Sequence, residues 1–249
     1  MTDPHVRLGL RENAAQFSLL VLINVFVGAM VGLERSTLPL IGRSDFGIAS
    51  SAAVLSFIGA FGLAKSITNL GAGVFASSVG RRRLLIIGWA FALPVPFLIA
   101  VAPTWGLIVG ANVLLGINQG LTWSMTVVMK IDLVGPRRRG FALGLNEAAG
   151  YGGVALAAAT SGILAASVAP RDILVIGGAL VAGIAFVVSL LFARDTAGHV
   201  ALEQSAHHSG PEAQMPRMQE AFGQRSRVIR FSQTKHISVK DGLSSQTTS

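Results

Sequence analysis

The sequence predicts an all-α membrane protein of six transmembrane helices, on three observations. Of its 249 residues, 51% are hydrophobic and only 13% are charged, against about 25% charged in a soluble domain. Between Asn13 and Asp195 the charges collect in short clusters separated by long uncharged runs. A bilayer imposes that pattern, because a charge at its centre costs about 2.5–3.5 kcal/mol on insertion scales. Six of the runs are long enough to cross ~30 Å of hydrocarbon, which takes about 20 apolar residues.

The spans lie at roughly 17–40, 47–70, 84–102, 105–128, 141–167 and 173–193. The first follows Arg7 and Arg11, as a signal peptide would. Its apolar run is too long for one, no small-residue cleavage site follows, and five more spans come after it, so it reads as a retained span. Pro103 and Pro170 turn the chain between spans three and four and between spans five and six. The chain thus divides into a cytoplasmic N-terminus (1–16), a six-helix transmembrane domain (17–193) and a polar cytoplasmic tail (194–249). In the tail, Met218, Phe222, Val228 and Phe231 are spaced along a basic stretch, Met215 to Phe231. That suits either a short helix lying on an anionic leaflet or a disordered segment.

Basic residues set the orientation. With the N-terminus inside, the inner segments before the tail hold nine (Arg7, Arg11, Arg81 to Arg83, Lys130 and Arg137 to Arg139) and the outer ones three (Arg35, Arg43 and Arg171). The expectation is N-in and C-in, in a plasma (inner) membrane. The net charge of +8 is therefore a topology signal and not a nucleic-acid footprint.

Polarity recurs along the spans. Spans three and six are almost wholly apolar, whereas spans one, two, four and five carry Asn24, Glu34, Arg35, Ser36 and Thr37; Ser56, Lys65, Ser66, Thr68 and Asn69; Asn112, Asn118, Gln119, Thr122 and Thr126; and Asn146, Glu147 and Tyr151. A three-plus-three repeat of this kind is expected of an inverted-repeat transporter half, with the polar spans lining something wet and the apolar ones facing lipid. Glycine pairs at four-residue spacing (Gly28/Gly32, Gly106/Gly110, Gly116/Gly120 and Gly140/Gly144) permit close helix approach.

Enzyme chemistry finds no footing. With no cysteine there is no thiolate nucleophile, disulfide or thiolate metal site. All five histidines (His5, His199, His207, His208 and His236) lie outside the spans, leaving no base for an intramembrane serine and no His-based metal site at depth. No phosphate-binding loop of the Gly-x-x-x-x-Gly-Lys-[Ser/Thr] type is present. No cofactor is expected.

After span two stands Gly73-Val-Phe-Ala-Ser77-Ser78-Val-Gly80-Arg81-Arg82. This resembles the loop signature of the major facilitator superfamily, Gly-x-x-x-Asp-[Arg/Lys]-x-Gly-Arg-[Arg/Lys], in the same loop between spans two and three. Ser77 and Ser78 replace its acidic and first basic positions, which puts in doubt the latch that the acidic group makes between the two halves in that family. Gly116-Ile-Asn118-Gln119-Gly120 in span four looks like the family's Arg-x-x-Gln-Gly with Gly116 in place of the arginine, so proton coupling loses support. The stretch Gly140 to Tyr151 looks like span five of prokaryotic members. The resemblance covers residues 15–195 and implies the N-terminal six-helix half of a secondary transporter that moves a small solute by alternating access. Members have twelve spans, so the reading is a half-size or truncated protein that needs a second half, from another copy or a separate chain. The alternative is a non-transporting fragment or accessory subunit.

Within that frame, Asn24, Asn112, Asn118 and Gln119 supply uncharged donors and acceptors for substrate or, equally, inter-helix hydrogen bonds. Glu34 and Arg35 form a substrate- or gate-facing pair or a solvated outer rim. Gly73, Gly80, Arg81 and Arg82 are gating candidates through the loop signature. Glu147 pairs with the inner arginines or Lys65 as a gate, or carries a proton. Lys65, placed about one turn from the inner end of span two, reads as an anchor or a gate partner.

Overall fold

A segment that must satisfy its backbone N–H and C=O groups without water does so most simply as a helix. A computed structural model describes residues 6–209, and among them there is no strand. The helices are α1 (Ala14–Ser44), α2 (Ser51–Val54), α3 (Ser56–Ser78), α4 (Arg81–Ala92), α5 (Pro94–Ala100), α6 (Trp105–Val134), α7 (Arg139–Leu164), α8 (Pro170–Phe192) and α9 (Ala197–Ser209), with a 3₁₀ turn at Pro136–Arg138. The chain divides into two units after Val200. The bundle belongs to the first; of the second, only residues 201–209, the end of α9, are described. The stretch Met215 to Phe231 lies outside the described residues.

Among the described residues, four segments are long and apolar enough to cross a membrane: Ala14–Ser44, Ser51–Ser78, Arg81–Ala100 and Pro170–Phe192. The expected spans four and five correspond to α6 and α7, of 30 and 26 residues. Both are long enough, but α6 carries Asn112, Asn118, Gln119, Lys130 and Asp132 and α7 carries Asn146 and Glu147, and they fall outside that group.

Two spans are interrupted where local chemistry competes with the helix. In the second, Ser50 caps α2 by accepting from Ala53 N (3.3 Å), and the Ser56 hydroxyl takes the Ala53 carbonyl (2.6 Å), so α3 restarts after Leu55. In the third, Pro94 has no N–H to donate to the helix, which separates α4 from α5 although Leu93 between them keeps α geometry (φ −55°, ψ −44°). Span two also runs eight residues beyond its expected end, to Ser78. The glycines and serines after Leu70 read as a loop, but Ser77 and Ser78 bond back to the carbonyls of Val74 and Phe75 (both 3.3 Å) and the helix continues. Lys65 is therefore 13 residues from the end of α3, about 20 Å at 1.5 Å per residue. This corrects its expected place near the span's end.

α6 is central, packed along α3 and α4, while α1 packs along α7 and α8. The α1–α7 contact is made possible by glycine. A Cβ on Gly28 would fall on the Gly150 carbonyl oxygen, one on Gly32 on that of Val154, and one on Gly153 on that of Val25. Gly116 and Gly120 bring α6 as close to α3: a Cβ there would lie 2.5 Å from the Phe61 carbonyl oxygen and 2.6 Å from Thr68 Cβ. A Cβ on Gly110, Gly140 or Gly144 would meet nothing within 4 Å and one on Gly106 only Thr104 (3.9 Å), so two of the four expected pairs are packing sites.

Candidate functional site

The carboxamides expected to bind solute are fully buried between helices. Asn24 Nδ2 on α1 donates to the Asn146 carbonyl on α7 (2.6 Å), and Thr126 Oγ1 on α6 lies 3.1 Å from Asn24 Oδ1 and 3.3 Å from Asn146 Oδ1, joining three helices. Gln119 Nε2 donates to Val27 O (2.7 Å) and Asn118 Nδ2 to Gly88 O (2.9 Å). Asn112 Nδ2 bonds within its own helix, to Ile108 O (3.0 Å). In a medium without water such bonds substitute for the missing hydrophobic drive between helices. Asn24, Asn118 and Gln119 each bond to a neighbouring helix in this way.

Glu34 and Arg35 part company. Glu34 is 2% exposed and its Oε1 has no hydrogen-bond partner, whereas Arg35 is exposed, with its guanidinium 5.9 Å from the centre of the Phe61 ring.

A different group of side chains comes together on the accessible side of α3, α6 and α7. Lys65 Nζ sits over the Trp123 ring at 4.6 Å and the Phe61 ring at 5.8 Å. Trp123 Nε1 donates to Glu147 Oε1 (3.0 Å), which also accepts from Asn146 Nδ2 (3.0 Å). Tyr151, 64% exposed, meets the Trp123 ring edge-on at 5.6 Å. Next to Trp123, Ser124 Oγ donates to Asn69 Oδ1 (3.0 Å), one turn along α3 from Lys65. Trp123 thus stands between Lys65 and Glu147, holding the cation by its ring face and the carboxylate by its N–H. The sequence reading missed Trp123 because indole counts as apolar bulk. Its one signal was an N–H that needs a partner wherever it is buried. Measured from the helix ends that carry the arginines, Lys65, Trp123 and Glu147 are 13, 11 and 8 residues in, about 12–20 Å.

The loop after α3 forms a second cluster. Gly80 has φ +93°, open to glycine, and a Cβ there would approach Asp195 Oδ2 to 3.2 Å. That turn starts α4 with both arginines aimed across the bundle. Arg81 Nε pairs with Asp132 Oδ2 at the end of α6 (2.6 Å), and Thr196 Oγ1 donates to the same oxygen (2.5 Å). Arg82 donates from Nε to Ala193 O (2.7 Å) and from Nη2 to Leu190 O (2.8 Å), occupying carbonyls that the end of α8 leaves free. Asp195 accepts from Arg82 N (3.2 Å). Gly73 is exposed with nothing within 4 Å of a Cβ. Asp132 was not anticipated as Arg81's partner, since a carboxylate near a span end reads as a solvated anchor.

At the opposite end Arg171 Nε pairs with Asp45 Oδ2 (2.7 Å) and its Nη1 donates to Ile99 O (3.1 Å), fastening α8 to the ends of α1 and α5. The Ser44 hydroxyl first, then Arg171, holds the Asp45 carboxyl below its usual range.

His199 lies beside the loop cluster, its Nε2 3.2 Å from Asn13 Oδ1. Burial lowers its pKa from the usual 6.5, against the opposing pull of Asp132. The folded protein thus takes up this proton less readily than the unfolded chain. The associated stability is complete above pH 6.5 and is lost as the pH falls below it. Thermal stability should accordingly drop between about pH 7.5 and about pH 5.5 by more in the wild type than in His199→Gln, as read by a melting series in mild detergent. Equal drops would mean that His199 contributes nothing to it.

Among the described residues no group of three or more His, Cys, Asp or Glu side chains is placed to hold a metal. The family model described as Major Facilitator Superfamily matches residues 18–236. No curated protein gives a significant match.

Proposed function

The chain belongs to the major facilitator superfamily of membrane transporters, and from that premise we propose that it moves a small solute across a plasma membrane by alternating access, as a secondary transporter. In this reading α6 and α7 cross the bilayer with the four apolar segments, giving six spans in two repeats of three with both termini inside. The observation that carries the proposal is the Lys65–Trp123–Glu147–Tyr151 group. It is a charged and aromatic surface about 12–20 Å from the ends of helices that pack around it, near the depth where transporters of this architecture bind solute. Ionisable side chains at such depth are costly and face protein or water, not lipid.

A second six-helix half closes the other side of the site, contributed by more of the same protein, another copy or a separate chain. The exposed apolar row of α3 (Leu63, Ile67, Leu70 and Val74) then faces that half or lipid. Arg35 lines the approach, and the Arg81–Asp132 pair with Arg82 forms the loop device that holds one conformation. The buried carboxamides shape the bundle behind the site.

Counterflow of radiolabelled sugars, amino acids and organic acids into vesicles bearing the protein tests the proposal. Saturable exchange of at least one solute, weakened by Arg81→Ala/Arg82→Ala without loss of insertion, is the expected result. Leak-level exchange of every solute by correctly inserted protein would contradict it.

A further inference from the structure

A cleft of about 700 Å³ opens at the arginine-rich end of the bundle, with no lining residue from either cluster described above. One wall is the segment before α1, including Leu8, Arg11 and Glu12; the other is the connection from α6 to α7, including Gly135, Arg137 and Arg138. Hydrogen bonds fix the two walls together. Gly9 N donates to Leu133 O (2.9 Å), and Asn13 Nδ2 lies 3.0 Å from Gly9 O and 3.2 Å from Leu133 O. Gly135, at φ +72°, turns the chain out of α6, and a Cβ there would lie 3.5 Å from the Leu8 side chain.

The charges in the cleft are one-sided. Arg11, Arg137 and Arg138 are exposed and have no ion pair among the described residues. Glu12, the carboxylate on the wall, is folded back against Gly9, into the space that a Cβ would fill. Three guanidiniums against one carboxylate leave a surplus of positive charge in a cleft whose remaining lining includes Leu8, Leu10 and Val134.

We infer that this cleft binds the phosphate headgroup of an anionic phospholipid. Guanidinium forks fit phosphate oxygens in pairs, and basic pockets beside membrane helices are suited to anionic headgroups. The cleft lies where α6 ends and α1 and α7 begin, at headgroup level, and its leucines and valine suit the glycerol and the first carbons of an acyl chain. This rests on α1, α6 and α7 crossing a bilayer and is independent of transport. A free phosphate ion would satisfy the arginines but not the apolar lining.

The test uses the full chain in mild detergent, with lipids retained on it counted by native mass spectrometry. The probes are phosphatidylglycerol, phosphatidylcholine and inorganic phosphate. Phosphatidylglycerol should be retained at least about tenfold better than phosphatidylcholine and should resist an equal concentration of inorganic phosphate. The triple variant Arg11→Gln/Arg137→Gln/Arg138→Gln should lose that preference, whereas Arg43→Gln/Arg83→Gln/Arg194→Gln, which removes the same charge outside the cleft, should keep it. Equal retention of both lipids by the wild type needs no variant to read and overturns the proposal. Displacement by inorganic phosphate, which would mark a soluble-anion site, does so too, as does equal loss in both triple variants.

Discussion

Gly28→Val is expected to prevent α1 and α7 from pairing. A side chain at Gly28 meets not a flexible neighbour but the Gly150 carbonyl oxygen, and Gly32 and Gly153 meet backbone in the same way. Relief therefore requires the two helices to separate along their contact, pulling apart the Asn24–Asn146 and Ser36–Ser161 hydrogen bonds (both 2.6 Å). Overpacking costs about 1–3 kcal/mol where side chains can move, and a backbone clash that breaks two inter-helix bonds belongs at or above the top of that range. Gly144→Ala is the control. Nothing lies within 4 Å of a Cβ there, and replacing a mid-helix glycine by alanine gains up to about 1 kcal/mol of helix propensity. Melting of the detergent-solubilised protein should show a large loss for the first variant and none for the second. Similar melting of the two would mean that α1 and α7 are not in close contact.

Trp123→Ala is expected to reduce transport at least about 30-fold, because the indole serves two charges at once. Its ring lies under Lys65 Nζ at 4.6 Å, and its N–H serves Glu147 at 3.0 Å. A desolvated cation–π contact is worth about 2 kcal/mol, which alone corresponds to about 30-fold, and the hydrogen bond to a charged group adds to it. Trp123→Phe separates the two roles. It keeps a ring for Lys65 and loses the donor, so its flux should lie between those of wild type and Trp123→Ala. Flux of the solute identified by counterflow, normalised to inserted protein, checks both variants. Wild-type flux in Trp123→Ala would remove the site from the mechanism.

Helical spans were legible in the sequence because a bilayer leaves so little choice: apolar length gave the first, second, third and sixth. Their ends were less legible. Span two was expected to stop at residue 70, yet α3 runs on to Ser78, with the Ser77 and Ser78 hydroxyls bonded to their own helix. That shift moved Lys65 from a span end to mid-helix. Polar residues inside spans were visible, but composition does not say which way a side chain points. Asn118 and Gln119 are adjacent, and both turn into helix contacts instead of an open face. Spacing was likewise ambiguous for glycine: Gly28/Gly32 and Gly140/Gly144 look alike in sequence, and only the first pair meets another backbone. The loop signature led to Arg81 and Arg82, while Asp132 and Asp195, which hold them, lie 51 and 113 residues further on than Arg81 and Arg82 respectively.

The chain contains no cysteine, so single cysteines can be introduced without background. Positions Asn69 and Ser124, bonded to each other beside Trp123, border the proposed solute site, whereas Leu180 and Ile184 are exposed positions on apolar α8. A small, membrane-impermeant thiol reagent applied from either side of the membrane is the most direct probe of alternating access. Cysteines at 69 and 124 should react from both sides, and cysteines at 180 and 184 from neither. Reaction of 69 and 124 from one side alone, or from neither side as at 180 and 184, would contradict a solute site opened in turn to each face.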